Sequence, residues 1–301
     1  MRCRGAGARS APVAWPVVAT VEHIPARTAD GITLAATAHG QGPPLLMIPG
    51  LGASRSVYAT VVPLLAERCR VIVFDPRGVG DSDVTDGPYT MAQLAGDAVC
   101  VLDAAGEPDA AVFGASMGGM VAQHVALDHP DRASRLILAC TSPGTSHAVR
   151  ADPEATRRLL GKGARTPEEA YRIACTVLYS RAFQASHPDF IEREIQQRAR
   201  RPVRARAFSA QYDAVRHHDT WDRLPELRMP VLVLHGSEDE VMPPGNGEVI
   251  AQRISGARLL LLDGLGHMFW HEDPMRAARA ILDFLDTPAA APASGDLAEN
   301  A

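Results

Sequence analysis

Apolar runs and helical patterns alternate along the first half of the chain. Four continuous apolar runs have the pattern of strands buried on both faces of a sheet: 43–48, 71–74, 110–113 and 136–139. Helical patterns lie between them, at 55–67, 90–105 and 117–127. Strand and helix in regular alternation predict a parallel sheet with right-handed crossovers and helices on both faces.

A hairpin precedes this alternation and a long interruption follows it. Residues 17–29 and 32–38 have the pattern of two antiparallel strands joined by the turn at 29–31. From 141 to about 227 no clear strand occurs, and the segment is too long for a loop, so we predict an inserted helical cap. Its helical patterns include three segments: 153–160, 167–178 and 188–199.

Strand character returns after the cap, at 230–234 and 258–262, and a helix with one apolar face follows at 275–285. The predicted fold class is therefore α/β, with a mostly parallel central sheet and an inserted helical cap. We predict a flexible N-terminus at 1–16 and a disordered tail at 288–301. Between them, the core consists of 17–140 and 228–287, and the cap of 141–227.

The apolar run 110–113 leads into a G-x-S-x-G sequence, which is the candidate centre of the chemistry. A strand, a sharp turn and a helix at this motif would hold Ser116 in a strained backbone conformation. Gly114 and Gly118 supply the small residues that such a close approach of strand and helix requires. A chance occurrence is the alternative, but the strand before the motif and the helix after it favour a nucleophilic serine.

A serine nucleophile needs a base and an acid that orients the base. The strand at 230–234 runs into a turn with three acids, Glu238, Asp239 and Glu240, at the end where open α/β sheets bind ligands. We prefer Asp239, because a short carboxylate in a tight turn is easier to hold rigid. A solvated acidic turn that caps the next helix is the alternative.

The candidate base is His267, in a glycine loop after the strand at 258–262. One side of this ring can reach a serine while the apolar stretch that follows shields the other side. A core histidine satisfied by the backbone and a helix cap are the alternatives, and His271 is the fallback base. The order Ser116, Asp239, His267 matches the Ser, acid, His order of one class of hydrolases.

A glycine-rich turn at 49–52 follows the third strand, where one oxyanion donor is expected. We assign the oxyanion hole to the backbone N–H groups of Leu51 and Met117. Both residues are also expected to contact the substrate, together with Met242 and Met268. Filling of the core around the loops is the alternative for the two methionines at 242 and 268.

Composition and charge exclude several classes of function. The 301 residues carry a formal net charge of -5, which gives no footprint for binding DNA or RNA. The five cysteines are odd in number and lack a C-x-x-C pair, which is typical of a reduced, cytoplasmic protein. Prolines interrupt the apolar run near the N-terminus, and no run reaches the roughly 18 residues of a membrane span. We expect a cytoplasmic protein that does not bind membranes.

Together these motifs resemble those of the α/β-hydrolase fold superfamily, and specifically its cap-bearing esterase, lactonase and cofactor-free haloperoxidase branch. The resemblance covers about residues 20–287 and includes a D-x-R-G-x-G-x-S loop at 75–82. In this loop we predict a hydrogen bond between Arg77 and Asp81. One departure is Pro49, where many members have histidine before the oxyanion glycine.

The resemblance implies hydrolysis of a carboxylic ester or lactone of a small, largely apolar molecule. His267 would take the proton of Ser116, Asp239 would fix the imidazole, and water would hydrolyse the acyl-enzyme. No metal or organic cofactor is expected. The same site also fits a thioesterase, a perhydrolase or a carbon-carbon bond hydrolase, and a non-catalytic ligand-binding member of the fold is a further alternative.

The predicted cap is basic within an acidic chain. Thirteen arginine and lysine residues lie between positions 150 and 206 of it: Arg150, Arg157, Arg158, Lys162, Arg165, Arg172, Arg181, Arg193, Arg198, Arg200, Arg201, Arg204 and Arg206. This charge is suited to a carboxylate-bearing substrate or to an acidic carrier protein that presents a thioester. A solvated helix face is the favoured alternative, because runs of charge usually have that cause. The sequence does not indicate an oligomeric state.

Overall fold

The computed structural model describes residues 21–288, and a single eight-stranded sheet lies at its centre. The strands in chain order are β1 (Val21–Arg27), β2 (Thr33–His39), β3 (Pro44–Ile48), β4 (Arg70–Phe74), β5 (Ala110–Ala115), β6 (Ala133–Ala139), β7 (Val231–Gly236) and β8 (Arg258–Leu262). Across the sheet their order is β1-β2-β4-β3-β5-β6-β7-β8. β2 pairs antiparallel with β1 and with β4, and all other neighbours are parallel. The predicted α/β class with a mostly parallel sheet is confirmed.

Helices connect the parallel strands and fill the interval between β6 and β7. They are α1 (Val62–Leu65), α2 (Met91–Ala104), α3 (Met117–Asp128), α4 (Pro153–Leu159), α5 (Pro167–Leu178), α6 (Arg181–Ser186), α7 (Pro188–Arg200), α8 (Ala205–Arg216), α9 (Gly245–Arg253), α10 (Phe269–Glu272) and α11 (Pro274–Asp286). Short 3-10 turns occur at Arg55–Tyr58, Pro130–Arg132 and Leu224–Glu226. None of the helices within 21–288 is long and apolar enough to cross a membrane.

Side chains of β3 alternate between two apolar cores, one on each face of the sheet. Leu46 and Ile48 belong to the core that contains buried residues of α2 and α3. Leu45 and Met47 belong to the core that contains those of α1 and α11. Because both faces are covered, no polar residue interrupts the strand, and this explains the continuous apolar run in the sequence.

The helix predicted at 55–67 is interrupted in the structure. A 3-10 turn at Arg55–Tyr58 is followed by the short α1, with Pro63 in its first turn. Proline has no N–H to donate and its ring collides with the preceding turn, so it begins a helix more easily than it continues one. The first strand of the hairpin ends at Arg27, two residues earlier than predicted. The predicted segment 17–20 lies outside the described residues, as do the predicted N-terminus 1–16 and residues 289–301 of the predicted tail.

The predicted bond between Arg77 and Asp81 is wrong. The buried Arg77 guanidinium binds Asp97 on α2, with N···O distances of 2.5 and 2.6 Å, and Asp30 in the hairpin turn at 2.9 Å. Asp81 instead accepts from Arg55 and Arg201. The reason is that Arg77 points into the protein, where only carboxylates from distant segments can reach it, whereas Asp81 lies at the surface.

Five helices, α4 to α8, occupy the segment between β6 and β7, which we call the helical insertion (residues 141–227). Three of them begin at the positions that the sequence patterns predict. In α4 and α5 the residue before the helix caps it, because the side chains of Asp152 and Thr166 accept from backbone N–H groups of the first turn. The starts of these two helices are therefore fixed by residues of the insertion itself.

Candidate active site

Ser116 stands between the end of β5 and the start of α3, with φ 58° and ψ -122°. A positive φ is strained for a residue with a Cβ, so neighbouring contacts must hold it. Its N–H donates to the carbonyl of Ala139 at 2.9 Å, and its carbonyl accepts from the Thr141 hydroxyl at 2.8 Å. The Ser116 side chain caps no amide of α3, which leaves its hydroxyl free to bond a base.

Gly114 and Gly118 lie where β3, β5 and α3 converge. A Cβ on Gly114 would overlap the carbonyl oxygen of Gly118, and a Cβ on Gly118 would overlap that of Ile48. No larger residue fits at either position without moving the backbone. The geometry matches the reason for which the sequence singles out these two glycines.

His267 and Asp239 meet at the carboxyl ends of β8 and β7. The Nδ1 atom of His267 lies 2.8 Å from Oδ2 of Asp239, and both side chains are buried. With its proton on Nδ1, the imidazole donates to the carboxylate and keeps the lone pair of Nε2 as an acceptor. This arrangement is the one that a general base requires.

Asp239 is held as an anion. Burial alone would raise the pKa of this carboxyl, but the neighbouring charge of His267 and the histidine contacts outweigh burial and lower the pKa to about 2. Its Oδ1 accepts from the N–H groups of Val241 and Met242, at 2.8 and 2.9 Å. His235 lies 3.4 Å from Oδ2, but its Nε2 is closer to the Met242 carbonyl, at 2.7 Å, so His267 is the main partner of Oδ2.

The other candidates for acid and base are engaged elsewhere. Glu238 is exposed, and Glu240 pairs with Arg158 of the helical insertion at 3.1 Å. His271 is buried, with Nδ1 against the Tyr179 hydroxyl and Nε2 against a backbone carbonyl, and burial lowers the pKa of its imidazole to about 4. The structure therefore brings only one of the three acids, Asp239, to the candidate base.

The turn at 50–53 places Leu51 beside the serine. The Ala53 N–H donates to the Gly50 carbonyl at 3.1 Å, and Gly52 has φ 62°, which favours glycine at this position of a turn. A Cβ on Gly50 would lie 3.8 Å from Oγ of Ser116. Within residues 21–288, neither the N–H of Leu51 nor that of Met117 donates a hydrogen bond to the protein. Both N–H groups are thus available for an oxyanion.

A cavity of about 860 Å³ contains the candidate site. Ser116 and His267 both line it, whereas Asp239 lies outside its wall, on the Nδ1 side of the imidazole. All four residues predicted to contact a substrate line the same cavity: Leu51, Met117, Met242 and Met268. Trp270, which was not predicted to contact a substrate, also lines it, and the sequence did not single out three further aromatic residues of the wall: Tyr171, Phe208 and Tyr212.

Two residues of the helical insertion bind the turn that carries Leu51. The amide oxygen of Gln211, a fully buried residue of α8, accepts from the N–H of Gly52 at 2.8 Å, and its NH₂ group donates to the Arg77 carbonyl at 3.1 Å. The guanidinium of Arg198 donates to the Gly52 carbonyl at 2.5 Å. Sequence reasoning missed Gln211, because a glutamine within an amphipathic helix gives no signal of its role.

Cys140, Asp239 and His267 bring atoms of the kinds that bind metals within 4.8 Å of one another. Burial raises the pKa of the Cys140 thiol well above its ordinary value, so this group stays protonated and offers no thiolate. Asp239 already accepts hydrogen bonds at both oxygens. The three residues therefore fit an acid-base pair beside a core thiol better than they fit a metal centre.

Comparison with known proteins gives one matching family and several relatives. The family model of the alpha/beta hydrolase fold matches residues 43–274. RutD of Azorhizobium caulinodans, which is provisionally named a carbamate hydrolase, is 29% identical to this chain. The match covers 77% of this chain and 86% of RutD. The 3-oxoadipate enol-lactonase 2 of Acinetobacter baylyi is 27% identical over 84% of this chain and 93% of its own.

Among solved structures, a thermophilic esterase from Thermogutta terrifontis is 31% identical to this chain. Its TM-score is 0.75, and the likeness covers 89% of this chain and 98% of the esterase. The segment matched by the family model runs from the start of β3 to the start of α11. It includes Ser116, Asp239 and His267 and the turns that carry them.

Proposed function

The chain belongs to the α/β-hydrolase fold family, and on that basis we propose that it is a serine hydrolase that cleaves a carboxylic ester or lactone through an acyl-enzyme on Ser116. One observation carries the proposal: the bond of 2.8 Å between His267 and Asp239 lies at the wall of the cavity that Ser116 also lines. The esterase and the enol-lactonase among the relatives support the choice of bond.

The first half of the reaction forms the acyl-enzyme. Nε2 of His267 accepts the proton of the Ser116 hydroxyl as Oγ attacks the carbonyl carbon, and Asp239 stabilises the imidazolium that forms. The N–H groups of Leu51 and Met117 receive the developing oxyanion, and each such donor contributes about 3 kcal/mol to the stability of the transition state. His267 then gives the proton to the leaving alkoxide, which departs as an alcohol.

The second half releases the acid. Water gives a proton to Nε2 of His267 and attacks the acyl carbon, and the Ser116 oxygen leaves and takes that proton back. In a lactone the alcohol formed in the first half stays attached to the acyl group, so a single hydroxy acid is released. Aliphatic and aromatic side chains form most of the cavity wall, which favours a largely apolar molecule.

The competing functions differ in the bond that is broken. A thioesterase, a perhydrolase and a carbon-carbon bond hydrolase would use the same three residues, so labelling the serine does not separate them. A non-catalytic binding role is a different class. The free hydroxyl of Ser116 and the ionised Asp239 favour catalysis over binding, since a binding protein needs neither.

We test the proposal with a substrate panel at neutral pH. p-Nitrophenyl butyrate, a six-membered lactone, a butyryl thioester and a 1,3-diketone are offered to the wild type and to Ser116→Ala. We expect turnover of the ester or the lactone by the wild type alone. Preference for the thioester or the diketone would move the assignment to that bond, and turnover by folded Ser116→Ala equal to wild type would contradict the proposal.

A further inference from the structure

Much of the positive charge on the helical insertion is neutralised by carboxylates of this chain. The ion pairs that its arginines form at the surface include Arg158 with Glu240, Arg172 with Glu192, Arg201 with Asp81, and Arg206 with Asp86. In such a pair the charge of the guanidinium is neutralised by a carboxylate of the same chain, so no external partner is needed. An acidic carrier protein therefore stays a prediction that these residues do not require.

The arginines that line the cavity are different. Three cationic side chains reach its wall, Arg150, Arg198 and Arg216, and no Asp or Glu among residues 21–288 lines it. The rest of the wall is mainly apolar, which strengthens the interaction of each cation with a bound anion. A chain with a net charge of -5 thus has a cavity of the opposite sign.

Arg198 is the cavity arginine whose position is best fixed. Its guanidinium carbon lies 4.6 Å from the centroid of the Tyr171 ring, and one of its NH₂ groups donates to the Gly52 carbonyl at 2.5 Å. Its other N–H groups have no hydrogen-bond partner in the described chain and are not sealed from solvent. The side chain is therefore oriented by two contacts and retains donors for a ligand.

No carboxylate of residues 21–288 lies within 4.0 Å of the Arg198 guanidinium. Glu194, one turn earlier on α7, senses its charge, but burial still raises the pKa of this carboxyl, and Glu194 does not line the cavity. Arg216, in contrast, has Asp213 at 3.9 Å, and Arg150 is exposed on a loop. Arg198 is the half-buried cation that a ligand carboxylate would neutralise most effectively.

The same turn links Arg198 to the reaction centre. A Cβ on Gly52 would lie 3.4 Å from the Arg198 NH₂ group, and a Cβ on Gly50 would lie 3.8 Å from Oγ of Ser116. The Cα atoms of two residues this close in sequence are at most about 7 Å apart. A carboxylate on Arg198 and an ester carbonyl at Ser116 can therefore belong to one small molecule.

From this geometry we propose that the substrate is an ester or lactone bearing a second, ionised carboxylate, and that Arg198 binds this carboxylate. The inference rests on the proposed function and names the substrate class of the same site. The apolar wall accepts the carbon skeleton between the two groups. The positive cavity then selects against neutral esters of equal length.

The test uses two pairs of substrates in which a methyl group of one member is replaced by a carboxylate in the other. p-Nitrophenyl pentanoate is compared with mono-p-nitrophenyl glutarate, which puts the carboxylate on the acyl side, and p-tolyl acetate with 4-acetoxybenzoate, which puts it on the alcohol side. We expect the wild type to have the higher kcat/KM for the anionic member of at least one pair. Arg198→Gln should lower that anionic-to-neutral ratio by about 10- to 100-fold, the usual effect of losing a hydrogen bond to a charged group.

Arg193→Gln is the matched control. Arg193 is also on α7 and also lies over an aromatic ring, that of Phe190, but it does not line the cavity. Its substitution should leave the ratio unchanged, and Arg198→Lys should restore part of it. Because the ratio is measured within one variant, a disturbance of the turn by loss of the Arg198 bond affects both substrates and cancels.

Two results would overturn the inference while leaving the proposed function intact. One is turnover of neutral esters by the wild type with no preference for an anion in either pair. The other is a preference that Arg198→Gln retains in full. Absence of turnover of these four esters and of the six-membered lactone by folded wild type would contradict the proposed function, and the inference with it.

Discussion

At the scale of single residues, the surroundings of Asp239 explain why it is the only one of the three acids at 238–240 that contacts the candidate base, His267. Asp239 uses Oδ2 for His267 and Oδ1 for two backbone N–H groups, so neither the tilt nor the protonation of the carboxyl is free. A short side chain can be fixed by its own turn in this way. Glu238 and Glu240 point elsewhere, to solvent and to an arginine.

Asp239→Asn should lower kcat by about 10⁴-fold without unfolding the protein. The amide would offer an N–H to Nδ1 of His267 and favour the tautomer with its proton on Nε2, which cannot accept from serine. Steady-state hydrolysis of the best ester measures the effect. Glu238→Gln, an exposed neighbour in the same turn, is the control and should change kcat less than threefold; equal losses in both variants would contradict the assignment.

Gly118, in the turn that carries Ser116, gives a second prediction at this scale. Gly118→Ala should destabilise the protein by about 1 to 3 kcal/mol, because its Cβ would overlap the carbonyl of Ile48 and the backbone would have to move. Gly96 on α2 is the control, since no atom lies within 4 Å of a Cβ placed there. Gly96→Ala should be stabilising by about 0.5 to 1 kcal/mol. Urea unfolding of both variants measures the two changes in the free energy of unfolding.

The positions of Ser116, Asp239 and His267 could be predicted from the sequence because each follows a buried strand, and parallel strands bring their carboxyl ends to one edge of the sheet. The contacts made by Gln211 could not be predicted. Its helix lies about 160 residues from Gly52 in the chain, and nothing local specifies which side chains of an inserted helix meet the core. The same limit explains the wrong partner predicted for Arg77, whose true partners lie on other segments.

At the scale of elements, the helical insertion binds the turn that carries Leu51, a candidate oxyanion donor. Arg198 on α7 binds the carbonyl of Gly52 and Gln211 on α8 binds its N–H, so two helices fix the two peptide groups that follow the Leu51 N–H. Under the proposed mechanism, the insertion thus helps to place an oxyanion donor and does more than cover the cavity.

Replacement of Gln211 by methionine should therefore lower kcat/KM by about 10-fold or more with little change in KM. Methionine preserves the volume but cannot accept from Gly52, and an oxyanion donor that is misplaced loses part of its contribution of about 10² in kcat. Gln123→Met is the matched control. Gln123 is equally buried and also bridges core and insertion, through Ser142 and Thr220.

Thermal unfolding accompanies the kinetics of both glutamine variants. If the role of Gln211 is to position the turn, the two variants lose similar stability but only Gln211→Met loses transition-state stabilisation. A trifluoromethyl ketone, which mimics the tetrahedral intermediate, should lose affinity in parallel. Equal kinetic losses in the two variants would show that general packing, and not the turn, is responsible.

At the scale of the whole molecule, one buried ion pair connects distant parts of the fold. Arg77 joins the loop after β4 to Asp97 on α2 and to Asp30 in the hairpin turn, and its carbonyl binds Gln211 of the insertion. Burial raises the pKa of the Asp97 carboxyl in spite of the neighbouring Arg77. The free-energy cost of removing the Asp97 carboxylate from water is therefore large. Such pairs stabilise weakly when intact but are costly to break.

Asp97→Ala should consequently lower the free energy of unfolding by about 3 kcal/mol, because it leaves a buried guanidinium with only the half-exposed Asp30. Arg206→Gln breaks an exposed pair with Asp86 and should cost about 0.5 kcal/mol or less. Urea unfolding at neutral pH compares the two. Similar small effects in both variants would mean that solvent reaches Arg77 once its partner is removed.

The most direct test of the central claim is the intact mass of the protein after reaction with a fluorophosphonate near neutral pH. The account predicts one adduct per chain in the wild type, none in Ser116→Ala, and slow labelling in Asp239→Asn, since the serine oxygen needs His267 in the correct tautomer to attack phosphorus. Folded wild type that takes up no label, or Ser116→Ala that labels as fast as wild type, would contradict it.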